Sequence, residues 1–144
     1  MELHIYTGQI GKYKGPDAFD VTVKSGDRTF APTWDMVHDS KAGRLSWEDY
    51  SERYRELMLS SYRRDQKAWH DILEKGTVTL LCYCRAGENC HRYLLADFLC
   101  KLGQKTGVRV INMGERPVTV KDNAANIGDN DQHLQESLFY ERSP

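Results

Sequence analysis

The chain lacks the features that would direct it to a membrane or to a polyanion. Its 144 residues carry a formal net charge of −1, so we expect no overall attraction toward nucleic acid or anionic lipid. Binding to either would require a local basic patch. No apolar run approaches the roughly 18 residues needed to cross a bilayer. The residues Met1 to His4 lack the charged and apolar segments of a signal peptide. We therefore expect a cytoplasmic protein without a membrane or nucleic-acid partner.

Cysteine is scarce, and its distribution excludes a disulfide scaffold. Of four cysteines, Cys82, Cys84 and Cys90 fall within nine residues, and Cys100 follows on a predicted helix. A disulfide framework spreads its cysteines through a small domain. The three clustered cysteines are therefore interpreted as reduced thiols with a local role, and Cys100 as a small buried hydrophobe.

Length and hydrophobic pattern predict one α/β domain. A 40% hydrophobic fraction is enough for a core without staples. Apolar periodicity and turn residues predict strands over 3–6, 19–23, 77–83 and 108–112, and helices beginning within 32–37 and covering 46–62, 65–75 and 91–102. A strand, helix and strand in succession imply parallel strands with a right-handed crossover. We expect a three-layer, mainly parallel sheet with flanking helices, Rossmann-like, and an acidic tail over 121–144 that is partly docked.

The segment from Cys82 to Arg92 joins a predicted buried strand to a predicted helix. Ligands of open α/β sheets bind at such junctions. With Asn89 as the N-cap, Cys90, His91 and Arg92 fall in the first helical turn. The helix start favours anions and should lower the pKa of the Cys90 thiol.

Three chemical interpretations of this junction stay open. In the first, Arg92, His91 and the helix start at Asn89 grip a nucleotide or similar phosphorylated molecule, with no cofactor. Whether the protein is an enzyme is undecided; if it is, Cys90 or Cys84 is the nucleophile and His91 carries the proton.

In the second interpretation, Cys82, Cys84, Cys90 and His91 bind zinc, although their spacing is unlike that of common zinc fingers. In the third, the sequence from Cys84 to Gly87 begins the C-x-A-G-x-x-R loop of thiol phosphatases and sulfurtransferases. That loop would place its arginine at position 90, and Arg92 comes two residues late.

Two further segments carry candidate ligand-binding residues. The loop after the first strand offers Gln9, Lys12 and Tyr13, which suit a phosphate or a ribose and would form the opposite wall of the pocket. Trp34 could stack on a base, and Asp35 could orient it.

The segment from Leu80 to Ala96 resembles the signature of the DUF488 family of small bacterial and phage proteins, with Cys82, Cys90, His91 and Arg92 on the matching positions. Cys84 stands where that family often has Glu. The Cys-x-Cys and Cys-His pattern is also similar to the DUF4326 group, whose members are nucleotide-associated, and residues 5–13 resemble short phage-type members. The resemblance implies a three-layer α/β fold with its site at this loop.

A non-catalytic phage-type protein that sequesters a signalling nucleotide is one alternative function. A zinc-stabilised structural or interaction module is the other. No feature of the sequence indicates an oligomeric state.

Overall fold

The structure, a computed structural model, describes residues 1–117. The predicted acidic tail over 121–144 lies outside the described residues. Within residues 1–117 the strands are β1 (Glu2–Gln9), β2 (Ala18–Asp20), β3 (Thr77–Cys82) and β4 (Arg109–Glu115), and the helices are α1 (Trp34–Lys41), α2 (Trp47–Arg64), α3 (Gln66–Leu73) and α4 (His91–Thr106). A short 3-10 helix covers Arg28–Phe30.

The strands form one parallel sheet in the order β2-β3-β1-β4. β1 lies between β3 and β4, with Ile5 opposite Val78 on one side and Leu3 opposite Val110 on the other. The predicted strands on either side of α4 are therefore parallel but separated by β1. The mixed α/β domain with a parallel sheet and flanking helices, consistent with a Rossmann-like three-layer fold, is confirmed.

The core forms where alternate residues of β1 and β3 meet the helices. Leu3, Ile5 and Leu80 are fully buried against apolar residues of the helices, among them Trp69, Met58, Leu95 and Leu99. Burying each such side chain contributes about 1.5–3 kcal/mol. No helix in this part of the chain is both long and apolar enough to span a bilayer.

Local capping explains where the helices begin. Ser46 caps α2 at the start of the predicted helix, its Oγ accepting from the backbone N–H of Asp49 at 3.1 Å. Asp65 occupies the N-cap of α3 but makes no side-chain cap. Its carboxylate instead accepts from the Thr29 hydroxyl at 3.3 Å, which ties α3 to the 3-10 helix.

Two predicted boundaries shift for physical reasons. The second strand ends at Asp20 rather than residue 23, because the Asp20 carboxylate accepts from the N–H of Thr22 at 2.9 Å and turns the chain. α4 runs past the predicted turn at Gly103 to Thr106. A Cβ at Gly103 would lie 2.5 Å from the carbonyl oxygen of Val108, so glycine here permits the close approach of the segment that enters β4.

Candidate functional site

The predicted junction connects the end of β3 to the start of α4 by a tight loop over residues 83–89. Gly87 has φ of 87°, a left-handed conformation that costs glycine little. The loop is held from inside by the Glu88 carboxylate, which accepts from the N–H of Arg85 at 2.9 Å. It is held from α4 by the Tyr93 hydroxyl, which accepts from the N–H of Gly87 at 3.2 Å. Two hydrogen bonds between side chains and backbone N–H groups therefore hold the loop that carries Cys84.

Three predicted ligands of a metal come together at this junction. The Sγ atoms of Cys82 and Cys90 and a ring nitrogen of His91 all lie within 4.8 Å of one another. All three residues are buried. The Sγ of Cys84 lies 4.0 Å from that of Cys82, but Cys84 stands outside the group of three and is partly exposed. The cluster of Cys82, Cys90 and His91 (hereafter the thiol–imidazole cluster) could hold a metal ion.

The orientation of the His91 ring is fixed by a backbone carbonyl. Its Nε2 lies 2.7 Å from the carbonyl oxygen of Val21, which can only accept, so Nε2 carries the proton and donates. Nδ1 then faces the sulfurs, 4.0 Å from Cys82 and 3.9 Å from Cys90. The Tyr54 ring packs on the imidazole with centroids 5.6 Å apart. These contacts fix the ring with Nδ1 directed at the two thiols.

The residue that caps α4 is Cys90, not Asn89. Cys90 has extended backbone angles, its side chain makes no cap hydrogen bond, and His91 is the first helical residue. The expectation that Asn89 caps the helix is therefore wrong, because the chain enters the helix one residue later. Asn89 is exposed and lines a cavity beside the cluster.

Arg92 is fully buried, and its terminal nitrogens face partners inside the protein. Its Nη1 donates to the carbonyl oxygen of Cys84 at 3.0 Å, and its Nη2 donates to the Glu115 carboxylate at 3.2 Å. The expectation of an exposed anion grip is corrected, because both terminal nitrogens of the guanidinium are hydrogen-bonded inside the protein, while the buried Nε has no partner among the described residues. The same contacts differ from the arrangement in the loop of thiol phosphatases and sulfurtransferases, in which an arginine would bind the group being transferred.

Glu115, at the end of β4, was not singled out by sequence reasoning. Its Oε1 accepts from the Thr7 hydroxyl at 2.6 Å and from the Tyr93 hydroxyl at 3.1 Å. Burial raises the pKa of Tyr93 to about 12, so its hydroxyl keeps its proton and can donate. Arg92 and Glu115 together tie the cysteine loop to the far strand of the sheet. No local signal links them, since they are 23 residues apart.

Contacts among the three thiols shift their pKa values in opposite directions. Hydrogen bonding with Cys84 and Cys90 lowers the pKa of Cys82. The same contacts with Cys82 raise the pKa of Cys84, and they combine with burial to raise that of Cys90 well above its usual range. The expectation that the helix start lowers the pKa of Cys90 is therefore wrong, because the contacts with the other two thiols and burial raise it.

A cavity of about 830 Å³ opens beside the cluster. Four aromatic side chains line it, and so do two lysines and a glutamate: Trp34, Trp47, Tyr50, Tyr83, Lys24, Lys41 and Glu88. Cys82, Cys84, Cys90 and His91 also line it, so any occupant meets the sulfur atoms. Trp34 was predicted as a ligand contact. Lys24, Lys41, Trp47 and Tyr83 were not, because they come from separate segments with no shared motif.

Four other predicted contacts lie away from this cavity. Gln9 donates to the carbonyl oxygen of Tyr83 at 3.3 Å and thereby supports the loop. Tyr13 donates to the Asp17 carboxylate. Lys12 is exposed in the turn after β1, and Asp35 is exposed in the first turn of α1. The loop after β1 does not form the opposite wall of the cavity; α1 and the segment after β2 do.

Residues 12–103 match the family model DUF488-N3a, described as the active DUF488-N3 subclade. The chain belongs to the DUF488 family. The match confirms the resemblance seen in the sequence and includes the whole junction from Cys82 to Arg92, whereas Glu115 lies beyond the matched residues of this DUF488 chain. Searches of curated proteins and of solved structures found no match. The similarity to DUF4326 stays a prediction.

Proposed function

We propose that this DUF488 protein binds a nucleotide or a similar small molecule that joins a planar ring to a phosphate, in the cavity beside the thiol–imidazole cluster. The observation that carries the proposal is the cavity lining, in which aromatic rings and lysines surround a floor of buried thiols. A volume of about 830 Å³ lies within the range of small-molecule sites, about 300–1,000 Å³.

The aromatic side chains supply a surface for a planar ring. Trp34 and Tyr83 are 45% and 46% exposed, which is unusual for such large apolar side chains. Trp47 stacks on Tyr50 with centroids 5.0 Å apart, so the deeper part of the wall is rigid. Stacking of a base on one aromatic side chain contributes about 1–3 kcal/mol. The exposed faces of Trp34 and Tyr83 are therefore the expected contacts of the base.

The charges around the cavity favour an anionic group. Lys24 and Lys41 line it, against the single carboxylate of Glu88 among the described lining residues. The Nζ of Lys24 lies 5.5 Å from the centroid of the Tyr83 ring, so a cation and an aromatic surface are adjacent. The N-terminal end of α4, a helix of 16 residues, also faces the cavity through Cys90 and His91 and adds a positive potential. These groups replace Arg92 as the expected phosphate contacts.

The test is a fluorescence and thermal-shift titration of the wild-type protein with nucleosides and their mono-, di- and triphosphates. Trp34→Ala should weaken binding of the best ligand about 5- to 150-fold, the equivalent of the stacking energy. Met113→Ala is the matched control, since Met113 is 46% exposed and lies on β4, away from the cavity. The proposal fails if no nucleoside or nucleotide shifts the melting temperature or the fluorescence.

The contribution of charge is tested by comparing a nucleotide with its nucleoside. Lys24→Ala and Lys41→Ala should reduce the affinity for the nucleotide and leave that for the nucleoside nearly unchanged. Lys67→Ala is the control, because Lys67 is exposed and pairs with Asp71 on α3. Chromatography of the ligand before and after incubation then separates the two classes of function: an altered ligand indicates an enzyme, and an unaltered one indicates a sequestering protein.

A further inference from the structure

We infer that Cys82, Cys90 and His91 form a zinc site with three protein ligands and a fourth position open to the cavity. This inference rests on the thiol–imidazole cluster alone and does not depend on nucleotide binding. It begins with the distances: Nδ1 of His91 lies 4.0 and 3.9 Å from the two sulfurs. Zn–S bonds of about 2.3 Å and Zn–N bonds of about 2.0 Å in a tetrahedron place such atoms about 3.6 Å apart. The two nitrogen–sulfur distances need to shorten by only a few tenths of an ångström, and the two sulfurs lie within 4.8 Å of each other.

The imidazole is already oriented as a metal ligand requires. Because Nε2 donates to the carbonyl oxygen of Val21 at 2.7 Å, Nδ1 is the ring nitrogen that faces the sulfurs and would bind the metal. Metal-binding histidines almost always donate their other ring N–H to a carbonyl or carboxylate in this way. The two contacts of this buried nitrogen with sulfur, at 3.9 and 4.0 Å, lie at the long end of hydrogen bonds to sulfur. A metal ion would give the nitrogen a direct, shorter bond.

The charge balance suits a divalent ion in a buried place. Two thiolates and a neutral imidazole neutralise Zn²⁺, so the loaded site carries no net charge. Nη1 of Arg92 donates to the Sγ of Cys90 at 3.4 Å, an outer contact that would hold this thiolate in position. The charge of Arg92 is balanced separately by Glu115, at 3.2 Å. The surroundings therefore support a metal without leaving an uncompensated charge.

We place the fourth coordination position of the zinc ion on the side that faces the cavity. Cys84 lies 4.0 Å from Cys82 but is partly exposed and stands outside the group of three. Soft ligands in a Cys₂His set favour zinc, and three protein ligands with one open position are the arrangement of catalytic rather than structural zinc sites. Cys84 is thus a neighbour of the open position and not a required ligand. A molecule in the cavity would meet the metal directly.

The experiment measures zinc in the full chain purified under reducing conditions from zinc-supplemented medium, without added nucleotide. Native mass spectrometry and elemental analysis should give about one zinc per chain for the wild type, for Cys84→Ser and for the control Cys100→Ser. Cys90→Ser and His91→Gln should lose it, with circular dichroism confirming that they fold. Loss of zinc in Cys84→Ser would overturn the open position, and a zinc-free wild type that also fails to bind added zinc would overturn the site.

A second measurement uses only the wild type, so it does not depend on whether a variant folds. Replacement of zinc by cobalt(II) should give intense visible bands and thiolate-to-cobalt charge transfer in the near ultraviolet. X-ray absorption of the zinc form should show two sulfurs at about 2.3 Å and nitrogen or oxygen at about 2.0 Å. A spectrum of octahedral cobalt, or zinc coordinated without sulfur, would contradict the assignment. A nucleotide screen that fails while zinc binds would reject the proposed function and leave this inference standing.

Discussion

Replacement of Arg92 by alanine distinguishes a structural role, in which Arg92 stabilises the fold through its buried ion pair with Glu115, from a role in ligand binding. In Arg92→Ala, Glu115 keeps its hydrogen bonds from Thr7 and Tyr93 but loses its cation. At 3.2 Å and an effective dielectric constant of about 20, the direct attraction is about 5 kcal/mol. Much of that is offset by desolvation, yet removing one partner of a buried pair typically costs about 3–5 kcal/mol, because the other charge is left uncompensated.

A loss of that size is a large fraction of the total stability of a small domain, about 5–15 kcal/mol. At about 2–4 °C per kcal/mol for a chain of this size, the melting temperature should fall by roughly 10 °C. Urea denaturation followed by tryptophan fluorescence and by circular dichroism measures the change. Glu115→Met combined with Arg92→Met should restore most of the stability, since apolar residues of similar volume often replace a buried pair at little cost.

Arg85→Ala is the matched control from the same loop. Its side chain is 70% exposed, and its contact with Glu88 is 4.0 Å long, so stability should be unchanged. The reasoning is refuted if Arg92→Ala is as stable as the wild type. If that variant also lost nucleotide binding, Arg92 would be a ligand contact after all, as the sequence alone had indicated.

Three further predictions concern stability. Burial raises the pKa of Asp17, but hydrogen bonds from its three side-chain donors lower it more, so its folded pKa lies below the ordinary value. The charged form therefore stabilises the fold above about pH 4, and this stabilisation is lost as pH falls through the folded pKa. In urea denaturation, Asp17→Asn should have a lower free energy of unfolding than the wild type, and the difference should shrink below about pH 4. A difference that is constant with pH would contradict this. Gly103→Ala should cost about 1–3 kcal/mol in thermal melts, because its Cβ would lie 2.5 Å from the carbonyl oxygen of Val108, and an unchanged melting temperature would show that the helix can shift. Ser46→Ala should cost about 1 kcal/mol by loss of the cap on Asp49, and equal urea midpoints would argue against the cap.

Local signals in the sequence predicted the helices and strands better than they predicted which distant residues contact them. The helix predicted from residue 46, the strand predicted over 77–83 and the helix predicted over 91–102 depend on neighbouring residues, and the structure has α2, β3 and α4 there. Residues that follow the same strand end must lie close together, so the grouping of Cys82 with Cys90 and His91 was also accessible. The exact helix start was not, because Asn89 and Cys90 can both adopt the extended cap conformation.

The role of Arg92 was not predictable from its neighbours. Exposure of an arginine depends on whether a distant carboxylate reaches it, and here Glu115 arrives from β4 across the sheet. The cavity lining has the same origin: Lys24 follows β2, Lys41 ends α1 and Tyr83 follows β3. Only the pairing of the strands and the position of α1 bring these side chains to one place. The cysteines and the histidine of the cavity could therefore be predicted from one segment, whereas the other lining residues could be identified only from the folded structure.

The central position of β1 has a consequence for the order in which the protein folds during synthesis. The first strand to leave the ribosome pairs with residues 77–82 on one side and with residues 109–115 on the other. Both of its edges stay unpaired until most of the chain has been made, and contacts that distant in sequence form slowly. A ribosome-bound chain stopped after α4 would expose one edge of β1, with Leu3 and Ile5 still lacking their neighbours on β4. A chain interrupted at this point therefore presents an unpaired strand edge that can pair with other chains.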